Sequence, residues 1–371
     1  MKKLLPLAAL ALLTPLAHAP AVLAQASAAQ AAGKTQPSPL APSEIVAAAP
    51  KGDWVAIAAS DLLVMDLTPG AKGKPRRVAI QLMPAPFSQG WIGNIRLLAK
   101  AHWWDGLSIN RVQDNYVVQW GDANGEDKAK AKPLPAGLAV MPESEYTIRI
   151  DELPIEYFLG LCQRLNTRRS ANGDLAINLG SDDRDIEDLE RRCVGYDNYR
   201  VETTNFQGFP LAFGTLDAGA PAYLFGSGSP DYVWPIHCYG MVGVGRDLSP
   251  NTGSGAELYV VIGHAPRHLD RNIALVGRVV EGIEHLSSLP RGTGGLGFYE
   301  TAEERTGIKA IRLASEMETD KPLPQYEYLS TESASFAKYA DARANRRDAF
   351  FIRPAGGADI CNIPVPVRRV K

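Results

Sequence analysis

Between Asp61 and Leu82 the sequence reads as a hairpin. Leu62 to Leu67 and Arg77 to Leu82 are apolar runs of strand length, and Thr68-Pro69-Gly70 with Gly73 supplies the turn chemistry between them. An isolated hairpin is at best marginally stable, so further strands or a covering helix must follow. From Ser88, the apolar residues Trp91, Ile92, Ile95, Leu97 and Leu98 recur at roughly helical spacing, with Ser88 available as N-cap. Ser108 to Val112 and Tyr116 to Trp120 then return to strand composition around the polar turn Gln113-Asp114-Asn115. Met241 to Val244, Leu258 to Ile262, Ile273 to Val280 and Ile308 to Leu313 add four more strand-like runs. Glu281 to Leu289 reads as a second helix.

Residues 123–237 interrupt this series and are expected to form an inserted α/β region with its own small core. They open on polar, lysine-rich sequence, offer helices near Glu152 to Leu165 and Asp182 to Cys193, and close on a Gly- and Pro-rich run from Gly208 to Pro235. Residues 51–320 form the main domain, and 321–371 a C-terminal extension. That extension carries a polar helix around Ser333 to Arg346, an apolar strand at Ala349 to Ile352 and a tail from Ile363 to Val370. The paired apolar runs at Ala349 and Ile363 suggest that it packs back on the domain.

The first residues read as an address. Lys2 and Lys3 precede an apolar run from Leu4 to Ala17, and Val22-Leu23-Ala24 offers small residues where a signal peptidase reads, so residues 1–24 are expected to be removed. The run is broken by Pro6, Pro15 and Pro20 and falls short of the roughly 20 apolar residues of a membrane span. Residues 25–50, rich in Ala, Pro, Ser and Gln, read as a flexible leader. The expected location is a bacterial periplasm or the exterior, with no membrane insertion.

An oxidising compartment gives the cysteines Cys162, Cys193, Cys238 and Cys361 a disulfide reading. Three connectivities are open, and Cys162 with Cys193 is favoured because both sit on successive helical patterns. Their spacing fits no zinc motif, His237 beside Cys238 lacks the partners of a tetrahedral site, and no metal is expected. The 39 basic residues are scattered and the formal net charge is −2, so nucleic acid is not an expected partner.

The segment Trp103-Trp104-Asp105-Gly106-Leu107-Ser108-Ile109-Asn110-Arg111-Val112, followed by Tyr116-Val117-Val118-Gln119-Trp120-Gly121-Asp122, resembles the signature of the cyclophilin-type peptidyl-prolyl isomerases. That signature has an arginine, an aromatic five positions on, a glutamine three beyond, and then Gly-Asp. The resemblance runs back to about Asp61 and forward through Ser249 to Val260 and Leu269 to Gly282, roughly half the chain. It implies a mainly β fold, a closed eight-stranded antiparallel barrel with two capping helices, and the strand count agrees loosely.

Carried over residue by residue, the resemblance makes Arg111 the catalytic group, Tyr116 the aromatic that holds a proline ring, Val117 its apolar neighbour and Gln119 a backbone anchor. Tyr259 and Leu269 become pocket walls, and Gly245 and Arg246 contact the residue before the proline. No cofactor is implied, and the expected partners are proline-containing, incompletely folded exported proteins. Three positions depart from the family: Glu257 replaces a glutamine and could pair with Arg111, His268 replaces an aromatic, and Ile273 replaces a histidine. Strict alternation would set Tyr116 on the face opposite Val117 and Gln119, so its place in the pocket requires a bend. The rival readings are a client-binding protein on the same barrel and an envelope-assembly protein.

Two other motifs lead elsewhere. Gly292-Thr293-Gly294-Gly295-Leu296-Gly297 matches a dinucleotide-binding pattern, but no strand leads into it, and it reads as a solvent loop. Neither Ser229 nor Ser254 has the spacing of a nucleophile elbow.

Overall fold

The protein is described from a computed structural model. It describes residues 39–70, 73–153, 202–214, 232–317 and 323–370. The expected signal peptide, most of the expected leader, the expected helices of the insertion save Glu152 and Leu153, and Cys162 with Cys193 lie outside the described residues.

In chain order the strands are β1 (Trp54–Ala56), β2 (Leu62–Leu67), β3 (Arg76–Leu82), β4 (Ser108–Val112), β5 (Val117–Gly121), β6 (Ile148–Arg149), β7 (Glu202–Phe206), β8 (Phe209–Gly214), β9 (Tyr232–Pro235), β10 (Met241–Val244), β11 (Leu258–Val261), β12 (Leu275–Glu281), β13 (Thr306–Leu313), β14 (Tyr326–Leu329) and β15 (Val367–Arg369). The helices are α1 (Pro42–Ala48), α2 (Gln89–Lys100), α3 (Glu284–Ser287) and α4 (Ala334–Ala344).

Eight of these strands close into a barrel in the order β10-β11-β5-β4-β13-β2-β3-β12, with every pairing antiparallel. Closure leaves no unpaired sheet edge. Alternation fills the interior: Met65, Ile80, Val118, Trp120, Val260 and Ile311 are buried together inside. The opposite faces of the same strands stay available for other work.

Helix α2 forms where the apolar spacing puts it, burying Trp91, Ile92, Ile95 and Leu98. Leu97, expected on that stripe, is 40% exposed, because it falls outside the arc that 3.6 residues per turn makes of its neighbours. Ser88 is left-handed and its side chain makes no cap hydrogen bond, which corrects the expected N-cap. The helix and the turn after it tie down the loop before β11: the Trp91 indole N–H donates to the carbonyls of Thr252 and Gly253 at 3.1 and 3.0 Å, and the Trp104 indole N–H donates to Ala256 O at 2.8 Å. The second expected helix is only the single turn α3.

Between β5 and β10 the described residues add a four-stranded sheet, β6-β9-β8-β7. Its strands β8 and β9 lie in the run read as Gly- and Pro-rich, because Phe209, Leu211, Phe213, Val233 and Trp234 outweigh the turn residues once they are buried. A third sheet, β1-β14-β15, draws on both ends of the described chain. Tyr326 and Val367 cover the outward Leu62 and Val64 of the barrel. Trp54, Leu329 and Phe336 form a small core with Ile45 and Val46 of α1, so helical, packed structure begins inside the expected leader.

The C-terminal extension therefore does pack back, though not through the strand expected at Ala349 to Ile352. That segment is irregular, with Phe350 85% and Ile352 95% exposed. Cys238 and Cys361 are joined by a disulfide, a pair compatible with the favoured Cys162–Cys193 connectivity. The bridge spans 123 residues and fixes the segment before β15 to the barrel. A cross-link over so long a loop removes much denatured-state freedom. Cys361→Ser is therefore expected to lower the unfolding free energy by about 2–4 kcal/mol in urea titration of the oxidised protein; an unchanged midpoint would contradict this role.

Candidate active site

Register assembles the site. In the β4–β5 pair the ladder shifts between Ile109 and Arg111, so that Ile109 faces Trp120 while Arg111 faces Gln119. Asn110 occupies the irregularity, its amide donating to Gly121 O at 3.0 Å and its Oδ1 accepting from Ser108 Oγ at 2.7 Å. Such an extra residue re-aims the side chain that follows it. Gln119 in turn faces Tyr259, and Tyr259 faces Gly243. Arg111, Gln119, Tyr259 and Gly243 thus form one row across β4, β5, β11 and β10.

Beside the row lies an apolar floor. Val117, Tyr259 and Val261 are buried together on the outer face, with Tyr116, Leu269 and Ile273 packed against them. The conflict over Tyr116 disappears because Tyr116 precedes β5 and belongs to the turn: its N–H donates to Gln113 O, and its carbonyl accepts from Ile262 N–H at 2.8 Å. It is therefore free of strand alternation. The Arg111 guanidinium lies 5.6 Å from the centre of its ring, and the exposed His268 stacks on it at 6.3 Å.

Several contacts hold the Arg111 guanidinium. Nε donates to Leu296 O at 2.7 Å, Nη1 to Gln119 Oε1 at 3.4 Å and Nη2 to Gln113 Oε1. The Phe298 ring lies 5.3 Å from the guanidinium carbon, a second aromatic partner. Of the five N–H groups of an arginine these bonds engage three, leaving one on each terminal nitrogen for another ligand. Burial lowers the pKa of Arg111 from its ordinary value, yet the group stays charged at any physiological pH.

Tyr259 is fixed from behind by two buried residues. His237 Nε2 lies 2.8 Å from the Tyr259 hydroxyl, and His237 Nδ1 lies 2.8 Å from Asp270 Oδ1. With the imidazole proton facing the carboxylate, Nε2 accepts from the tyrosine. Asp270 also accepts from the His237 backbone N–H at 3.0 Å and from Arg267 Nε at 2.6 Å, which pins the turn carrying Leu269. Gly243 permits the arrangement, since a Cβ there would collide with the Tyr259 hydroxyl. Desolvation holds the Tyr259 phenol well above its ordinary pKa, so it is a neutral donor.

Glu257 does not pair with Arg111. Its carboxylate turns inward, accepting from the Asp122 backbone N–H at 2.6 Å and from the Gln119 side chain, under Gly121, where a Cβ would overlap it. Burial is the main reason its pKa is pushed up to about 7. Gln119 thus links Glu257 on one side to Arg111 on the other. Gly245 lies against Glu257 and Gln119, a Cβ at that position standing 3.4 Å from Gln119 Nε2, while the Arg246 side chain folds away to donate to Asn272 O at 3.0 Å.

The structure therefore brings Arg111, Tyr116, Val117, Gln119, Tyr259 and Leu269 together, with Gly245 and Arg246 at the rim. Sequence reasoning missed four contributors. His237 was weighed only as a metal ligand, Gln113 was read only as a turn residue and Asp270 only as part of the resembling stretch, and the glycine-rich loop that brings Leu296 and Phe298 onto Arg111 read as a solvent loop. For that loop the alternation of glycines with large apolar residues was the available signal.

A cationic donor beside an apolar floor suits a substrate that sets an apolar group next to a polar one, and among the described residues of the site none is placed as a nucleophile. None of the curated proteins compared matches this sequence. The chain is similar in structure to cyclophilin AquaCyp293 from Hirschia baltica, at 17% identity and TM-score 0.54, over 85% of this chain and 93% of that one. It also matches a cyclophilin type peptidyl-prolyl cis-trans isomerase of Cryptosporidium parvum. In the crystal structure with the dipeptide Ala-Pro, identity is 9% and TM-score 0.32, over 68% of this chain and 98% of that one. In a second crystal structure of that isomerase the values are 10% and 0.33, over 70% and 99%. The profile of the family described as cyclophilin type peptidyl-prolyl cis-trans isomerase/CLD matches residues 91–312. That match starts within α2 and ends within β13, so it takes in the whole row and more than half of the 371 residues: the chain belongs to the cyclophilin-type peptidyl-prolyl cis-trans isomerases.

Proposed function

We propose that this protein accelerates rotation about X-Pro bonds in exported, incompletely folded proteins, with Arg111 stabilising the twisted amide. The observation that carries the reading is the guanidinium of Arg111, held beside Tyr116 and Gln119 at the edge of the Val117, Tyr259 and Leu269 floor. The proline ring rests on that floor. The family resemblance supports Gly245 and Arg246 as the contact for the residue before the proline, and the place of Gly245 beside Gln119 is compatible with it. The export-type sequence of residues 1–24 supports a periplasmic or external location, where such clients fold.

No bond is broken in this reaction. Amide resonance sets a barrier of about 18–20 kcal/mol, so uncatalysed X-Pro isomerisation takes tens to hundreds of seconds. In the twisted transition state the prolyl nitrogen becomes pyramidal and recovers a localised lone pair. An N–H of Arg111 aimed at that lone pair binds the twisted state more strongly than either planar one, which is the condition for acceleration. Leu296 O, Gln113 and Gln119 hold the guanidinium before substrate arrives, so little reorganisation is left for the chemical step. Among the described residues no helix is long and apolar enough to cross a membrane.

The test compares wild-type protein with Arg111→Ala and Arg111→Lys in a cis-to-trans assay on a short proline peptide. Arg111→Ala is expected to lose roughly 10²-fold or more in kcat/KM, and Arg111→Lys to recover under about a tenth of wild-type activity. Wild-type activity retained by a folded Arg111→Ala protein would contradict the assignment. Glu257 gives a separate prediction. Its folded pKa of about 7 exceeds its ordinary 4.5, so its favourable contribution is full below the unfolded value and is lost as pH rises through 7. Between pH 5 and pH 8, wild type should lose about 2–3 kcal/mol of unfolding free energy relative to Glu257→Gln. Parallel urea titrations check this, and equal pH profiles would contradict it.

A further inference from the structure

The segment after α3 is built onto the catalytic edge of the barrel. β4 pairs with β13 only at Ser108 and Ile109. Beyond that point its free side is taken by the glycine-rich segment: Tyr299 N–H donates to Asn110 O at 2.9 Å, Gly292 N–H donates to Val112 O at 3.0 Å, and Arg111 and Phe298 form a backbone bridge. Gly294 N–H donates to Phe298 O at 2.9 Å, and the Tyr299 hydroxyl donates to Pro290 O at 2.6 Å, closing the segment on itself. Backbone bonds therefore fix where its side chains stand.

Two of those side chains are large, apolar and exposed, Leu296 at 69% and Phe298 at 41%. Leu296 adopts φ 56°, a left-handed conformation that disfavours leucine, although a glycine flanks it on either side. Its carbonyl accepts from Arg111 Nε, and Phe298 shares the guanidinium with Tyr116. The charge is thus bordered by two rings, one at the proline floor and one on this segment. A large apolar side chain presented to water in a strained backbone, beside a reactive group, calls for a function in recognition.

We propose that Leu296 and Phe298 form a second apolar subsite, beside Arg111, that selects X-Pro segments carrying an apolar side chain on the residue after the proline. The inference rests on the proposed isomerase reading. Gly245 lies next to Gln119, beyond the end of β10, whereas Leu296 and Phe298 flank Arg111 at the β4 end of the row. A peptide whose residue before proline lies over Gly245 then directs the following residue toward Phe298. The favoured clients are proline sites followed by leucine, phenylalanine or similar residues, which folded proteins bury and unfolded ones display.

The test uses peptides Ala-Ala-Pro-Yaa with Yaa as Leu, Phe, Ala, Glu or Lys, on the full chain, reading both kcat/KM and peptide affinity by NMR titration. Wild type should favour Leu and Phe over Glu and Lys roughly tenfold. Leu296→Asn keeps the carbonyl and suits the left-handed backbone, and together with Phe298→Gln it should bring that ratio to within about twofold of unity. Equal handling of all five peptides by wild type, or a preference that survives both substitutions, would overturn the subsite. A wild type that turns over none of them but binds Leu and Phe peptides more tightly would support the subsite and overturn the isomerase reading.

Discussion

An antiparallel sheet of eight strands has two open edges unless its first strand finds its last, and the β10–β12 pairing removes both. Once the sheet is closed, strand alternation leaves one set of side chains inside and one outside, and a slip of one residue would exchange them. The interior takes Met65, Ile80, Trp120 and Val260, and the outside is divided among three tasks. On β2 and β3 it receives the C-terminal extension through Tyr326 and Val367. On β5 and β11 it forms the apolar floor, with Tyr116, Leu269 and Ile273 packed against it. On β4 it carries Arg111.

The site depends on register more than on any single strong contact. The irregularity at Asn110 sets Arg111 opposite Gln119, and the next pairing sets Gln119 opposite Tyr259. Each of the three side chains of the row is then supported from outside it: Arg111 by Leu296 O and two rings, Gln119 by Glu257, and Tyr259 by His237, itself held by Asp270. Such support reduces the motion left to freeze when the amide twists. It also explains why polar groups as costly to bury as Asp270 and His237 stand behind an apolar pocket. They satisfy each other, a backbone N–H and a phenol at once.

Much of this was legible in the residues, and what was not has physical causes. The barrel strands show as apolar runs bounded by turn residues, and α2 shows as a helical stripe. The Arg111 to Asp122 order carried the family. Alternation alone misplaced Tyr116, because a residue one position before a strand obeys the turn. Composition misread β8 and β9, where burial of Phe209 and Trp234 overrides glycine and proline. It also misread Ala349 to Ile352, whose β propensity finds no neighbouring strand to pair with. Glu257 looked like a partner for Arg111 by charge alone, but the nearby Asp122 N–H and the space left by Gly121 turn it the other way. The clamp on Arg111 by Leu296 and Phe298 joins residues 185 positions apart in the hydrogen bond from Nε, a distance over which local pattern carries no information.

In the proposed function the Arg111 guanidinium lowers the barrier itself and does not merely hold a proline on the barrel. Two-dimensional exchange NMR of a proline peptide with a small molar fraction of the protein separates the two directly. Cross-peaks between cis and trans signals are expected at mixing times of a fraction of a second, where the free peptide shows none. Peptide resonances that shift on binding, with no cis–trans cross-peaks at those mixing times, would contradict it.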